Sequence, residues 1–510
     1  MCRYRFITFI TVLACFCACA RKEAAIMPVT GTWINLAWQD ERNNYMNFQD
    51  EIINTDPEMW TDKMVALHEI GVDWIMFDQV ANERKAYYPS KMMPHHYPEG
   101  RKDPVTAVMD ACDSLGMHVF LSCGWAVNQS DDVGDSAVVA RQCDIMSELA
   151  ALYGDRPSFE GWYLPMEDCL APYLPDRSIA GINRLTARAY DVTPGKLTMV
   201  APYGIFGANL DNPKFAENLA AINVDIIAYQ DEIGCVRDVF PMAAMKRHFR
   251  KLGKIHEKLK LEYWVNIENF TWDRGTNNHF SSLIPAEFGR YLEQIVSASQ
   301  SGAKRIASFS VYGIIDKPGE RHPLGQPVEA ARTYATYKSW LEGDPHWKML
   351  EGIFSGVETN DAKGCPISYE VNGLPSRGLT SIQDNLCCLT DGRVSETDPG
   401  SEGWVSFKGD ASVIVDLKKV RDVSVVAPRF LNYTPRQCEM PVTVDLYTSV
   451  DGSEWILVES QPGPHNVNNR HDCWTDISYF SGVGSARYIK LSFDNALWTR
   501  TFCDEIFVKY

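Results

Sequence analysis

The chain has 510 residues, which is too long for one ordinary domain and suits a barrel of roughly 300 residues followed by a smaller module. Its hydrophobic content of 45% is ample for packed cores. The formal net charge of −17 argues against nucleic acid and other polyanions as partners, because they need a basic surface, and favours a neutral ligand.

The first residues have the pattern of a bacterial lipoprotein signal. Arg3 and Arg5 precede an apolar run, residues 6–18, that is too short to span a bilayer comfortably. The run ends near Cys19, the predicted lipidated residue, with Cys15 as the alternative. This predicts a signal peptide over residues 1–19 and a protein tethered to a membrane outside the cytoplasm, either in the periplasm or at the outer-membrane surface.

From Gly31 onward, short apolar runs rich in β-forming residues alternate with helical patterns. One helix opens at Asp103-Pro104 and ends at Gly116. Strands are predicted at residues 32–37, 72–77, 118–122, 159–165, 197–201, 224–229, 261–267 and 306–311. Eight strands alternating with helices predict an α/β fold, a TIM (β/α)8 barrel, over residues 28–345.

The pattern changes near residue 355. Residues 411–417 and 442–447 alternate apolar and polar side chains, and the runs are broken by Gly, Pro and Asn. This pattern is typical of an all-β sandwich, which we predict over residues 355–510.

Two predicted strands end in acidic residues. Glu167 follows the fourth strand and Glu268 follows the seventh, and these strands lie across the mouth of a barrel. Glycoside hydrolysis needs two carboxyl groups that face each other across a cleft. This placement resembles that in the large retaining glycosidase superfamily, in which the acid/base follows strand four and the nucleophile follows strand seven. The resemblance implies a retaining glycoside hydrolase, with Glu167 as acid/base and Glu268 as nucleophile.

A third acidic segment, Gln230-Asp231-Glu232, follows the sixth strand. Asp231 or Glu232 could hold a sugar hydroxyl, tune the pKa of Glu268, or replace Glu268 as nucleophile or base. Asp78 and Asp168, which follow the second and fourth strands, are weaker candidates.

Aromatic and amide side chains near the strand ends suit a carbohydrate cleft, because sugar faces stack on flat rings. The predicted substrate-binding residues are Gln230, Glu232, Trp38, Trp125, Tyr203, Asn266, Trp272 and Tyr312, with Asn35, Gln39 and Asn128 as further hydrogen-bonding groups. No cofactor is predicted for catalysis. The scarcity of histidines at strand ends weakens a metal-dependent hydrolase or deacetylase, and the main rival is a non-catalytic glycan-binding lipoprotein.

The motifs at residues 161–167, 224–231 and 264–270 together resemble an uncharacterised Bacteroidetes family of lipoproteins with a glycosidase-like TIM barrel, a domain of unknown function. The resemblance covers roughly residues 30–343. It implies glycosidase-like chemistry on an oligosaccharide or polysaccharide and names no substrate.

The C-terminal part resembles discoidin-like (coagulation-factor type C) galactose-binding modules, which are jelly-roll sandwiches. The matching segments are residues 389–392, 413–417, 447–455, 486–491 and 504–506. The resemblance implies a structural calcium ion with Asp391 and Glu505 as ligands. Tyr433, Trp474 and Trp498 could form a sugar-stacking platform, the alternative being a structural role against the barrel.

Overall fold

The computed structural model describes residues 25–36, 57–127, 131–166, 168–272, 283–310, 314–319, 327–371, 386–465, 472–495 and 499–510. Its N-terminal part is a closed barrel of eight parallel strands. These are β1 (Gly31–Ile34), β2 (Trp74–Phe77), β3 (His118–Ser122), β4 (Phe159–Tyr163), β5 (Leu197–Val200), β6 (Ile226–Gln230), β7 (Glu262–Glu268) and β8 (Ile306–Phe309). The barrel closes where Gly31 pairs with Ala307, which confirms the predicted TIM fold.

Helices separate the strands and cover the barrel. They are α1 (Pro57–His68), α2 (Pro104–Leu115), α3 (Ser136–Tyr153), α4 (Asp176–Val192), α5 (Pro213–Ala220), α6 (Met242–Leu259), α7 (Phe288–Ser299), α8 (Pro327–Leu341) and α9 (Pro345–Ser355). The local sequence explains their ends: the Asp103 side chain accepts from Thr106 N, and Gly116 closes α2 with a φ of 71°.

The interior of the barrel is a packed apolar core. Side chains that alternate along the strands form one buried cluster, whose members are Trp33, Trp74, Met76, Phe120, Tyr163, Met199, Ala201, Ile226, Ala228, Trp264 and Ala307. The interior is therefore filled, and chemistry is confined to the polar side chains beyond this core, at the carboxyl ends of the strands.

The C-terminal domain is an all-β sandwich, as predicted. Its strands are β9 (Ile367–Val371), β10 (Val405–Lys408), β11 (Ala411–Asn432), β12 (Thr443–Ser449), β13 (Ile456–Pro462), β14 (Trp474–Ile477), β15 (Phe480–Asp494) and β16 (Arg500–Lys509). All pairings are antiparallel in the order β10-β16-β11-β15-β12-β13, and β9 and β14 also pair with β11. Residues 411–417 alternate between buried and partly exposed, as their sequence pattern requires.

The two domains touch closely along α7. A Cβ atom on Gly289 would lie 2.2 Å from the carbonyl oxygen of Thr475 in β14, so only glycine permits this approach. Thr397 donates from Oγ1 to Glu293 Oε2 at 2.6 Å. The sandwich thus packs directly against α7. Among the helices that the structure describes, none combines the length and apolar character needed to cross a bilayer.

Candidate active site

Glu268 is the last residue of β7 and lies at the inner rim of the barrel. Alternation along β7 places Trp264, Asn266 and Glu268 on the same face, and Trp264 belongs to the interior core. Glu268 is only 5% exposed and stands in register with Phe309 of β8. The strand therefore presents this carboxyl group at the open end of the barrel.

The segment after β6 holds the Glu268 carboxylate. It contains a single helical turn, Ile233–Val236, and the backbone N–H of Cys235 donates to Glu268 Oε2 at 2.9 Å. A Cβ atom on Gly234 would lie 2.8 Å from Glu268 Oε2 and 2.9 Å from the carbonyl oxygen of Phe270. Glycine at position 234 therefore allows the carboxyl group to approach the backbone.

Replacing Gly234 with alanine is expected to displace the Glu268 side chain, because the added methyl group collides with its oxygen and with backbone. We expect a loss of about 1–3 kcal/mol in the free energy of unfolding. The matched control is Gly352→Ala, where the nearest atom would lie at 3.4 Å. Chemical denaturation checks this, and equal losses of stability in the two variants would contradict it.

Asp231 links the end of β6 to the end of β7 through hydrogen bonds. Its Oδ1 accepts from Glu268 N at 3.0 Å and from Ile233 N at 3.2 Å, and its Oδ2 accepts from Gln294 Nε2 at 2.6 Å. The residue is 0% exposed. Because both oxygens are engaged in the protein interior, this location suits a group that orients Glu268 better than one that touches a substrate.

Glu232 joins the segments that follow β5 and β6. It has a left-handed backbone (φ 58°), and its carboxylate accepts from Gly204 N at 2.8 Å and from Phe206 N at 3.1 Å. Neighbouring Gln230 donates from Nε2 to the carbonyl oxygen of Ala201 at 3.1 Å. The third acidic segment therefore fixes the shape of the rim between β5 and β7.

The three carboxyl groups have unusual acidities. Burial raises the pKa of Glu268, and the neighbouring Asp231 and Glu232 carboxylates raise it further, against the opposing effects of Cys235 N–H and Arg290. Burial also raises the pKa of Asp231, and it raises the pKa of Glu232 to about 7. The carboxyl groups of the cluster therefore lose their protons at higher pH than isolated carboxyl groups do.

Arg290 of α7 also stabilises the main chain around Glu268, and the sequence patterns did not identify it. It is 0% exposed, and its guanidinium donates to the carbonyl oxygens of Ile233 and Glu268, both at 3.1 Å, and to that of Phe270. Gln294 also donates to the Glu268 carbonyl at 3.1 Å. The main chain on both sides of the Glu268 carboxyl group is thus fixed by one helix.

Several predicted binding residues lie buried at the rim with polar atoms that have no hydrogen-bond partner in the described part of the chain. These atoms are both amide atoms of Asn35, Oδ1 of Asn266 and Nε1 of Trp125. Such atoms are costly unless a ligand or water satisfies them. Tyr203 is 37% exposed after β5, whereas Trp272 is buried in the short antiparallel pair Phe270–Trp272 with Leu283–Pro285.

Two weaker acidic candidates differ in their surroundings. Asp78 is 3% exposed just beyond β2. Asp168 accepts from Ser178 Oγ and lies 4.0 Å from Arg177, so it faces the start of α4. The predicted site residues that lie outside the described residues are Glu167, Trp38, Tyr312 and Cys19, together with Gln39, Asn128 and Trp498.

The proposed calcium ligands of the C-terminal domain make protein hydrogen bonds. Glu505 Oε1 accepts from Asn360 Nδ2 at 2.6 Å and from Gly392 N at 3.0 Å, and Asp391 Oδ1 accepts from Arg393 N at 2.7 Å. Within the described ranges, no group of three or more His, Cys, Asp or Glu side chains is arranged to hold a metal ion. Calcium binding stays a prediction. Trp474 is 1% exposed, which favours the structural role for this ring.

The barrel coincides with a recognised protein family. A family model described as a domain of unknown function, DUF4434, matches residues 29–322, more than half of the chain. The chain belongs to this family. All eight barrel strands and the acidic cluster of β6 and β7 lie within the DUF4434 match, and the sandwich lies beyond it. No curated protein shows significant sequence similarity to this DUF4434 chain.

Solved structures that resemble this DUF4434 protein include three associated with glycoside hydrolases. A proposed alpha-L-fucosidase from Bacteroides thetaiotaomicron is 16% identical with a TM-score of 0.49, covering 62% of this chain and 94% of its own. A GH5 subfamily 18 protein from Streptomyces cattleya in complex with GlcNAc is 15% identical with a TM-score of 0.38, covering 63% and 82%. A family 5 glycoside hydrolase from Bacteroides vulgatus is 10% identical with a TM-score of 0.38, covering 86% of both. At sequence identities of 10–16%, these similarities concern the fold alone.

Proposed function

We propose that this protein is a glycoside hydrolase whose reaction takes place at the carboxyl end of the barrel, with Glu268 as one of two catalytic carboxyl groups. The observation that carries the proposal is the position of Glu268: its carboxyl group is buried at the inner rim, held by the Cys235 N–H, and surrounded by two further acids. A carboxyl group in such surroundings is a recurrent feature of catalytic sites. Glu167 is its expected partner.

The raised pKa of Glu268 favours one assignment of the catalytic roles of Glu268 and Glu167. The sequence led us to expect a nucleophile, which must be ionised, but the raised pKa favours the protonated form at neutral pH. We therefore propose that Glu268 donates its proton to the glycosidic oxygen as the bond to the anomeric carbon breaks, while the Glu167 carboxylate attacks that carbon. In the second step Glu268 takes a proton from water, whose oxygen displaces Glu167.

The polar atoms at the rim support a carbohydrate as the substrate. Asn35 offers both amide atoms, Asn266 offers Oδ1 and Trp125 offers an indole N–H, and sugar hydroxyl groups could bond to these atoms, which have no partner among the described residues. Lipid anchoring at Cys19, action outside the cytoplasm, and calcium at Asp391 and Glu505 remain proposals from the sequence.

Hydrolysis of a broad panel of aryl glycosides and of plant and host oligosaccharides tests the proposed function. The double variant Glu167→Gln/Glu268→Gln serves as the blank, and proton NMR of the first product identifies the anomer released. Turnover by the native protein with retained configuration supports the proposal. Glycan binding without turnover would support the rival, a glycan-binding lipoprotein, and inversion would reject the covalent step.

The pH dependence of kcat/KM should show the proposed role of Glu268. Because the pKa of this group is raised in the folded protein and the protonated form is active, activity should persist through neutral pH and fall as the pH rises through the raised pKa. The pH profile of kcat/KM on a panel substrate measures this directly. Activity that instead rises with pH through the same range would assign Glu268 the nucleophilic role.

A further inference from the structure

The C-terminal domain places one buried carboxylate behind the candidate site. Asp472 lies just before β14 and is 0% exposed. Its Oδ1 lies 3.4 Å from Arg237 Nε, and its Oδ2 lies 3.4 Å from Arg290 Nε. A residue of the sandwich therefore bridges two arginines of the barrel, one from the segment after β6 and one from α7.

Arg290 connects this carboxylate to the site. One side of its guanidinium faces Asp472, and its terminal nitrogens donate to the carbonyl oxygens of Ile233, Glu268 and Phe270. These carbonyls flank the helical turn that binds the Glu268 carboxylate and the strand that carries it. Movement of the guanidinium would therefore displace both partners of the Cys235–Glu268 hydrogen bond.

A buried arginine needs a counter-ion to keep this position. Arg290 is 0% exposed, and an unpaired charge in such a place is strongly destabilising. Asp231 and Glu268 also lie within electrostatic range of Arg290, but among these three acids the largest stabilising effect on its charge comes from Asp472. Asp472 forms an ion pair with Arg290.

We infer that Asp472 is a positioning residue for the reaction, acting through Arg290 on Glu268, so that the C-terminal domain completes the active site of the barrel. This inference rests on the proposed function of Glu268. It gives the sandwich a role in catalysis that is separate from any capacity of its own to bind sugar or calcium.

The test compares Asp472→Asn with Asp476→Asn in the purified two-domain protein. Asp476 is a suitable control because it is also buried and also joins the domains, through His346 Nε2 at 2.8 Å. Removing the Asp472 charge takes away a negative charge that faces Arg290, which favours the ionised form of Glu268. The groups that face Glu268 otherwise stay the same: Asp231, Glu232, Cys235 and Arg290.

For Asp472→Asn we expect kcat to fall about 10-fold or more with little change in KM. We also expect the alkaline limb of the kcat/KM profile to move to lower pH by roughly 0.5–1 pH unit. Asp476→Asn should leave both quantities unchanged, although it can lower stability. Unchanged kcat and pH profile in a folded Asp472→Asn variant would overturn the inference.

A second readout separates this inference from the proposed function. Carbon-13 NMR of glutamate carboxyl groups, with the Glu268 signal assigned by its loss in Glu268→Gln, follows its titration without any substrate. The Glu268 titration should move to lower pH in Asp472→Asn and stay in place in Asp476→Asn, even if no glycan is hydrolysed. If Asp472→Asn does not fold, the variant Arg237→Gln provides the test. Loss of this positive charge should move the titration of Glu268 to higher pH, and an unchanged titration would reject the coupling between the Asp472 ion pairs and Glu268.

Discussion

Glu268→Gln is expected to lower kcat/KM for oligosaccharides by about 10²- to 10⁴-fold, the usual contribution of a general acid. Glutamine has nearly the same shape and keeps an oxygen that can accept the Cys235 N–H, so the site should remain folded. It cannot donate the proton that the leaving oxygen needs. The measurement is steady-state kinetics on a substrate found in the panel, with circular dichroism to check folding.

The dependence of the Glu268→Gln rate on the acidity of the leaving group distinguishes the two roles of Glu268. If Glu268 is the acid, the variant should lose little rate in forming the covalent intermediate from dinitrophenyl glycosides, because that leaving group departs without a proton. Equal losses on activated and natural substrates would restore the nucleophile assignment. Glu262→Gln is the matched control, since Glu262 begins the same strand and is exposed at the opposite rim. Full activity in Glu268→Gln would refute both roles.

The architecture was predictable because it depends on local patterns. Each barrel strand is a short apolar run followed by a helix with recognisable ends, such as Asp103 and Gly116, and the strand count then sets the fold. The position of Glu268 at the rim followed from the same pattern, because the residue at the carboxyl end of a barrel strand lies at the open end of the barrel.

The orientation of side chains next to the strand ends was not predictable. Gln230, Asp231 and Glu232 are consecutive, yet their side chains bond to Ala201, to Gln294 and to the Gly204–Phe206 turn. The left-handed backbone of Glu232 redirects the chain at this point. Sequence shows that acids are present, but backbone geometry decides which one faces the mouth of the barrel.

Arg290 and Asp472 were missed for a different reason. In α7, Arg290, Glu293 and Gln294 are spaced like the solvent-facing side of an amphipathic helix, and sequence alone favours that interpretation. All three are buried through contacts between residues far apart in the chain: the second domain contacts Arg290 and Glu293, and Gln294 donates to groups of the barrel. One signal was present: Gly289 precedes Arg290 at the start of the helix, where a close approach by another backbone requires glycine.

Arg290→Met is expected to lower the free energy of unfolding by about 3–5 kcal/mol, because it leaves the buried Asp472 carboxylate without one of its two cationic partners. The same change removes the donors to three carbonyl oxygens around Glu268, so catalysis should fall even in the molecules that remain folded. Chemical denaturation and thermal unfolding measure the first effect, and active-site-normalised rates measure the second. The control is Arg188→Met on α4, where a partly exposed pair with Asp191 should contribute less than about 1 kcal/mol. Similar stability losses in the two variants would show that the buried arginine does not hold the two domains and the candidate site together.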